Sequence, residues 1–152
     1  MLSLQDQYAP NNHCFGCGPK NEKGLRIKSF VVGDEVKATW HAESHHKAFD
    51  HMLNGGICGA LLDCHSNWAA AYYLMRRLGQ DVPPCTVTAE FAVKLLAPTP
   101  MEAPIELSAK VIEGSDRKAV VEATLTVNGK VTATCLGTFV AVKEGHPAYH
   151  RW

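Results

Sequence analysis

The segment NGGICGALLDCHSNW, residues 54–68, holds the residue types that chemistry at a carbonyl group requires. Asp63 supplies a carboxylate that could activate water as a general base or attack the carbonyl carbon itself. Gly55 and Gly56 precede an apolar run, and the N-terminus of a helix offers unpaired backbone N–H groups that stabilise an oxyanion. Because glycine has no side chain, a substrate can approach that backbone closely. Asp63 and Gly55 are therefore the candidate catalytic residues, and Gly56 is a candidate for substrate binding.

The spacing of these residues predicts a site shared between two chains. Gly55 and Asp63 are eight residues apart, which corresponds to about 12 Å along a helix axis. One carbonyl group cannot contact both residues on the same helix. If both act, Asp63 must meet the Gly55 N–H of a second, antiparallel copy. A symmetric homodimer gives this arrangement without further assumptions.

The helix that carries both residues is predicted to run from Gly55 to Leu78. Two arginines suit its last turn, Gly79 suits the position after its end, and the Pro-Pro pair at 83–84 prevents continuation. The first part of the segment is apolar on almost every side, which indicates a helix buried by the rest of the chain.

Three further polar side chains follow Asp63 on the predicted helix. Ser66 and Asn67 lie three and four residues beyond it, so they share its face. Asn67 could hold the attacking water or the carboxylate, and an ordinary hydrogen-bonded core position is the alternative. His65 points about 160° away from Asp63, which favours a core role over direct participation.

The remaining sequence predicts strands that surround this helix. Residues 25–40 contain two short strand-like runs around Gly33-Asp34, which is a hairpin signal. Asn128-Gly129 predicts another tight turn. Four Val-, Thr- and Ala-rich runs follow the helix, namely TVTAEFAVKLL, IELSAKVIE, KAVVEATLTV and KVTATCLGTFVAV. Two strands, a long buried helix and four strands predict an α+β fold in which one antiparallel sheet wraps around one central helix.

These motifs, in this order, resemble the hotdog-fold acyl-CoA thioesterases, close to the phenylacetate-pathway type. NGGICGALLD is similar to the family pattern of His-Gly-Gly, six residues and Asp, with Asn54 where His is usual. TVTAEFAVKLLAPTP resembles the strand that follows the family helix, and TATCLGTFVAV resembles its closing strand. The N-terminal CFGCGPKNEKGL is similar to the arm of a subgroup that includes the mitochondrial acyl-CoA thioesterases.

The resemblance implies a hotdog fold, thioester hydrolysis and an active site at a subunit interface. Asn54 then joins the substrate-binding candidates, and Thr88 falls where a Ser or Thr of the family often assists the attacking water. The substrate would be an acyl-CoA or an acyl-carrier-protein thioester, so CoA enters as substrate and no cofactor is expected. The assembly would be a dimer or a dimer of dimers. Ala48 departs from the family, because an Asn or Gln is frequent at that position.

Length, composition and charge fit one cytoplasmic domain. A chain of 152 residues can build a hydrophobic core, and we expect one domain over residues 1–152 with an N-terminal arm over 1–24. The formal net charge is zero and the charges are interspersed, so no nucleic-acid partner is expected. No apolar run is long enough to predict a membrane span, and the first residues are too polar for a signal peptide.

The six cysteines are expected to be thiols, because no secretory signal is present and four of them lie in apolar runs. HCFGCG, residues 13–18, has no second CxxC partner, so no metal site is expected and its glycines should shape a tight turn that packs Phe15. The histidine-rich residues 41–53 are expected to form a mobile loop over the substrate entrance rather than a metal cluster. Candidates for contacts with CoA phosphates, each also explicable as a surface charge, are Arg76, Arg77, Lys94, Arg117 and Lys118.

Two other functions fit the same fold. A non-catalytic protein that binds acyl-CoA or another acyl ligand is favoured by Asn54 and by the apolar Ala48. A hotdog dehydratase or hydratase would need an Asp–His or His–Glu pair, and no such pairing is evident in the sequence.

Overall fold

The computed structural model of the protein describes residues 1–152. Its helices are α1 (Leu4–Tyr8) and α2 (Gly55–Arg77), and a single 3₁₀ turn covers Ser44–His46. The eight strands, in chain order, are β1 (Phe30–Val32), β2 (Glu35–Trp40), β3 (Lys47–Phe49), β4 (Met52–Leu53), β5 (Thr86–Leu95), β6 (Ile105–Gly114), β7 (Lys118–Val127) and β8 (Lys130–Ala141).

Six strands form one antiparallel sheet in the order β1-β2-β6-β7-β8-β5. Helix α2 packs against this sheet and contacts β2, β5, β6, β7 and β8. The predicted antiparallel sheet around one long helix is therefore confirmed. Strand β5 ends the sheet on one side, so one backbone edge of β5 has no neighbouring strand.

Helix α2 lies in the hydrophobic core, because 26 buried side chains from the helix, the sheet and the arm pack together. Leu61, Leu62 and Trp68 of the helix are wholly buried. The helix begins at the predicted residue and ends one residue before the predicted end. Gly79 follows with a φ of +63°, the left-handed conformation that terminates helices.

Both predicted hairpin turns are present. Val32 pairs with Glu35, which leaves Gly33-Asp34 as a two-residue turn between β1 and β2. Asn128 and Gly129 have φ values of 52° and 77°, as the turn type that suits twisted antiparallel strands requires.

Two local predictions are wrong. Residues 41–53, expected to form a loop, contain two strands instead, because β3 and β4 pair as a small antiparallel ribbon and Met52 bridges to Pro100. In the arm, Phe15 is 53% exposed and the buried side chain of the turn is Cys17.

All six cysteines are free thiols, as predicted. Neither helix combines the length and the apolar character that crossing a membrane would require.

Candidate active site

Asn54 builds the N-terminus of α2 by capping it. Its side-chain oxygen accepts a hydrogen bond from the Ile57 N–H at 3.2 Å, a role for which Asn is among the favoured residues. The Asn54 N–H donates to the His46 carbonyl oxygen at 2.9 Å, which fixes how the chain enters the helix. A helix has no internal acceptors for its first N–H groups. The Gly55 and Gly56 N–H groups therefore stand at the positive end of the helix dipole without an acceptor in the helix.

Asp63 lies about two turns further along α2, half-buried. Its Oδ1 accepts a hydrogen bond from the Thr88 hydroxyl of β5 at 2.7 Å. Burial raises the pKa of Asp63, and the Thr88 hydrogen bond opposes that rise only in part. The structure thus brings the predicted carboxylate and the predicted hydroxyl together, with one carboxylate oxygen engaged by Thr88.

Asn67 and Thr86 form a second link between α2 and β5. The Thr86 hydroxyl donates to Asn67 Oδ1 at 2.8 Å, and both side chains are buried. The amide oxygen of Asn67 is therefore engaged by Thr86, one turn away from Asp63. The register of β5 shifts just after Thr88, which bends the strand beyond the two threonines.

His65 is a buried structural residue, as predicted. Its Nε2 lies 2.8 Å from the Val36 carbonyl oxygen and its Nδ1 lies 2.8 Å from the Ser29 hydroxyl. Because a carbonyl can only accept, Nε2 carries the proton and Nδ1 accepts from Ser29. Burial lowers the pKa of His65 to about 4, and the hydrogen bond to Val36 raises it by less.

Gly59 lies between Gly55 and Asp63 on one face of α2, because residues four apart on a helix are neighbours. A Cβ atom added to Gly59 would meet no atom within 4 Å, so the helix surface is bare at that point. A Cβ atom on Gly55 would lie 2.9 Å from Leu95 Cδ1. We call the surface formed by Gly55, Gly59 and Asp63 the open face.

An apolar cleft of about 340 Å³ opens beside Gly55. Its walls come from β3, β4 and the end of β5, and they include Phe49, Leu53 and Leu95. Ala48 also lines the cleft and contributes no polar group. The cleft can accept an apolar group whose polar end reaches the start of α2.

Apolar side chains on β5 border the open face without being covered by the chain. The β8 partners of Thr88, Phe91 and Leu95 are Phe139, Gly137 and Ala133. These partners lie an even number of residues apart on β8, so they share one face of the sheet, and Phe91 and Leu95 share the face of Thr88. Phe91 and Leu95 therefore point to the α2 side of the sheet. Even so, they are 44% and 57% exposed.

Sequence reasoning missed Arg151 as a neighbour of the site. Trp152 stacks on Trp68 with ring centroids 4.6 Å apart, and this contact brings the C-terminus back to the helix. An Arg151 guanidinium nitrogen donates to the Thr86 carbonyl oxygen at 2.6 Å. Although burial dominates and raises the pKa of Asp63, the Arg151 charge lowers it. No local motif marks Arg151, since its position depends on contacts with residues far away in the chain.

A histidine–glutamate pair that the sequence did not reveal lies apart from the Asp63–Thr88 arrangement. His51 Nδ1 lies 2.5 Å from Glu102 Oε1, and the two side chains are 77% and 63% exposed. They line a separate polar cleft of about 440 Å³. Both groups are solvated, so the pair lacks the water-excluded surroundings that strengthen catalytic acid–base groups.

The basic residues considered for CoA phosphates are dispersed on the surface. Arg77 Nε pairs with Asp116 Oδ1 at 2.8 Å. The others are exposed and form no ion pair within the chain, namely Arg76, Lys94, Arg117 and Lys118.

The chain is similar to solved structures of thioesterase superfamily proteins. One such protein from Shewanella loihica PV-4 is 29% identical, with a TM-score of 0.70 over 91% of this chain and 99% of that chain. The PaaI protein from the phenylacetic acid degradation operon of E. coli is 15% identical, with a TM-score of 0.64 over 78% of this chain and 81% of that chain. No family profile and no curated protein matches the chain.

The fold and the comparisons agree on the fold class of the chain. The chain has the hotdog fold of the thioesterase superfamily, so the predicted fold class and the predicted resemblance are confirmed. The E. coli protein of the phenylacetic acid operon supports the hotdog fold at 15% identity.

Proposed function

We propose that the protein is an acyl-CoA thioesterase that acts as a homodimer, with Asp63 of one chain and Gly55 of the other in each active site. The observation that carries this proposal is the open face of α2, which holds N–H groups without helical acceptors at one end and a Thr88-bound carboxylate at the other. About 12 Å of helix separates the two ends. An antiparallel second copy would bring each Asp63 to the other chain's Gly55.

The hydrolytic step follows from these groups. The Gly55 N–H, with that of Gly56, donates hydrogen bonds to the thioester carbonyl oxygen and stabilises the oxyanion. Asp63 takes a proton from water while the water oxygen bonds to the carbonyl carbon. Collapse of the tetrahedral intermediate re-forms the carbonyl and breaks the C–S bond. The CoA sulfur leaves with the electron pair and receives the proton, which gives the free acid and CoA.

Thr88 positions the carboxylate for this step. Its hydroxyl occupies one oxygen of Asp63 at 2.7 Å, which leaves the other oxygen to accept the proton of a water molecule. The same hydrogen bond would also orient Asp63 for direct attack on the carbonyl carbon, with a mixed anhydride as the intermediate. After hydrolysis in water enriched in heavy oxygen, label in the Asp63 carboxylate would identify the anhydride, because it enters when water attacks the Asp63 carbonyl.

Two surfaces of the chain favour contact with a second copy. Gly59 leaves the open face bare, so another helix can approach α2 closely there. Phe91 and Leu95 present apolar surface beside it, and burial of such surface favours association. A dimer that covers both would also complete the proposed active sites.

The apolar cleft beside Gly55 suits the acyl group of the substrate. Its lining of Phe49, Leu53 and Leu95 would bury an apolar acyl chain while the thioester carbonyl lies at the helix N-terminus. A panel of acyl-CoA esters with aliphatic and aromatic acyl groups, compared with the same acyl groups on acyl-carrier protein, would define both acyl preference and carrier.

Asp63→Asn tests the proposed chemistry. Asn keeps the size of the side chain and can still accept the Thr88 hydrogen bond, but it cannot take a proton from water. We expect kcat/KM to fall by about 10³-fold across the panel, within the range for removal of a general base. Asp81→Asn, an exposed carboxylate beyond the end of α2, is the matched control and should keep parental activity. Equal rates for Asp63→Asn and its parent would refute the mechanism.

A protein that binds acyl-CoA without hydrolysing it is the second candidate. The Asn54 side chain is occupied in capping α2, and Ala48 gives the cleft no polar group. Saturable binding of CoA or acyl-CoA by calorimetry, with no hydrolysis anywhere in the panel, would select this function.

A further inference from the structure

Three cysteines from distant parts of the sequence meet beside the proposed catalytic helix. Cys14 and Cys17 belong to the N-terminal arm, and Cys64 follows Asp63 on α2. Their sulfur atoms all lie within 4.8 Å of one another. We call this group the thiol cluster. Cys17 is buried, and Cys14 and Cys64 are half-buried.

The arm is folded closely around the cluster. A Cβ atom on Gly16 would lie 2.3 Å from Cys64 Sγ, and one on Gly18 would lie 2.4 Å from the Cys14 backbone nitrogen. A larger residue at Gly16 would push the arm away from the helix, and one at Gly18 would clash with the backbone of the arm itself. The two glycines of HCFGCG therefore let the CxxC turn lie directly on Cys64.

Hydrogen bonds fix the orientation of the turn. The Cys14 N–H donates to Asn12 Oδ1 at 2.7 Å, and the Gly18 N–H donates to the Cys14 carbonyl oxygen at 2.8 Å. The Trp68 indole N–H donates to Cys17 Sγ at 3.4 Å. Donors directed at a sulfur atom are a common feature around thiolate ligands of metals.

The separation between Cys14 Sγ and Cys64 Sγ matches that of two thiolates on one metal ion. Zinc–sulfur bonds are about 2.3 Å long, so two of them at a tetrahedral angle place their sulfurs about 3.8 Å apart. Cys14 Sγ and Cys64 Sγ lie 3.7 Å apart. A disulfide would use only two of the three sulfurs, whereas one metal ion uses all of them.

We propose that Cys14, Cys17 and Cys64 bind one thiophilic metal ion with a filled d shell, zinc(II) or copper(I). Thiolates are the ligands that select these ions. Three sulfurs complete a trigonal copper(I) site, and a water molecule would supply the fourth ligand of zinc(II). Each thiol gives its proton to the solvent as its sulfur binds the ion.

The site would fasten the N-terminal arm to α2 next to Asp63. Without the ion, the arm is held there by the packing of residues such as Cys17 and by the Trp68 hydrogen bond to Cys17. With it, two metal–sulfur bonds from the arm and one from the helix would join the arm to α2 through one ion. This role does not depend on the proposed thioesterase activity, and its tests use metal content, spectra and unfolding.

Metal binding by the whole reduced chain tests the proposal. Metal-free protein is incubated separately with zinc(II), with copper(I) without oxygen, and with cobalt(II) as a spectroscopic substitute for zinc(II). We expect one ion per chain to remain bound after desalting in the zinc(II) or the copper(I) incubation. Sulfur-to-cobalt charge-transfer absorption and a Tm raised by several degrees should accompany binding, since a ligand of the folded state stabilises it.

Single substitutions locate the ion. Cys14→Ser and Cys64→Ser should each lower metal affinity by at least about 100-fold, because a ligand is removed. Cys58→Ser is the matched control, since Cys58 is a buried cysteine of the same helix and lies outside the cluster. Alkylation of the parent protein gives an answer that does not require folded variants. Bound metal should protect Cys14, Cys17 and Cys64 and leave the reactivity of the other thiols unchanged.

Two results would overturn the proposal. One is a parent protein that retains neither zinc(II) nor copper(I) after desalting, whether the three thiols stay reduced or two of them form a disulfide. The other is metal retention that is the same in Cys14→Ser as in the parent. Retention of zinc alone or copper alone would identify the ion and support the site.

Discussion

Asp63 and His65 lie two residues apart on one helix, yet their surroundings differ. His65 is wholly buried, and both ring nitrogens are hydrogen-bonded, one to Ser29 and one to Val36. Asp63 is half-buried, and only one of its oxygens is engaged within the chain, by Thr88. A polar group whose hydrogen bonds are all made within the core can hold the fold together, but it has no bond left for a substrate.

The comparison extends to the two sides of α2. The side that carries His65 and Trp68 is covered by the sheet and the arm, whereas the open face carries two glycines and Asp63. A glycine with nothing packed against it, such as Gly59, contributes little to the stability of one chain. In the proposed dimer a second molecule covers the open face, so the two sides separate stability from the proposed activity.

The largest effect that separates the two sides is expected from Gly59→Leu. The added side chain points into open space within one chain, so the fold should be retained. It would block a second helix on the open face, and we expect dimer dissociation to become at least about 100-fold easier, with activity lost in parallel. Sedimentation at several protein concentrations measures the first effect and kcat/KM the second. Gly59→Ala, which adds one methyl group, is the graded control. An active, unperturbed dimer of Gly59→Leu would place the interface elsewhere.

His65 is expected to make the fold sensitive to acid. Its pKa is about 4 in the folded chain and about 6.5 in an unfolded one, so the unfolded state binds the additional proton first. The contribution of His65 to the free energy of unfolding is therefore complete above about pH 6.5. It falls as the pH drops and is about 3 kcal/mol smaller near pH 4. His65→Gln, compared with the parent by urea unfolding in metal-free buffer, should lack this loss. Identical pH dependence in the two proteins would contradict the assignment of His65.

His65→Gln also tests at neutral pH whether His65 contributes to stability rather than to activity. Mismatched buried hydrogen bonds should lower the free energy of unfolding by about 1–3 kcal/mol. The kcat/KM of the folded protein should stay close to that of the parent, because His65 faces away from the open face. A large loss of activity at full folding would give His65 a catalytic role.

A smaller effect is expected from Thr88→Val. Valine keeps the shape of the side chain but loses the hydroxyl that holds Asp63, so the carboxylate is oriented less well. We expect kcat to fall about tenfold, which corresponds to about 1.4 kcal/mol in activation free energy. Thr88→Ser, which retains the hydroxyl, should recover most of the loss, and Thr86→Val reports the effect of losing the neighbouring link to Asn67. Unchanged kcat in Thr88→Val would remove Thr88 from the mechanism.

The parts of this molecule that local sequence predicts are those that local physics determines. Helix α2 has a long apolar run, an Asn cap and a terminating Gly79, and the last four strands carry β-branched residues with a tight turn at Asn128-Gly129. The short strands β3 and β4 escaped prediction because they are too brief to show a hydrophobic period. They are held by pairing with each other and by the bridge from Met52 to Pro100.

The candidate site also has parts that local sequence predicts and parts that it does not. Gly55, Asp63 and their separation are evident in the sequence, because helix geometry converts a spacing into a distance. Thr88 was placed by the family resemblance alone. The bare surface at Gly59, the approach of Arg151 and the thiol cluster depend on contacts between residues far apart in the chain, such as Cys14 and Cys64, and no local pattern records them.

Mixed dimers test the central claim most directly. One chain carries Asp63→Asn and the other Gly55→Val, whose side chain would obstruct the approach of a substrate to the helix N-terminus, and each carries a different affinity tag. Each variant alone should be nearly inactive. A mixed dimer purified through both tags combines the intact Gly55 of one chain with the intact Asp63 of the other in one of its two sites. We expect it to recover about half of the activity of the unmutated protein. A mixed dimer no more active than either variant alone would contradict a site shared between chains.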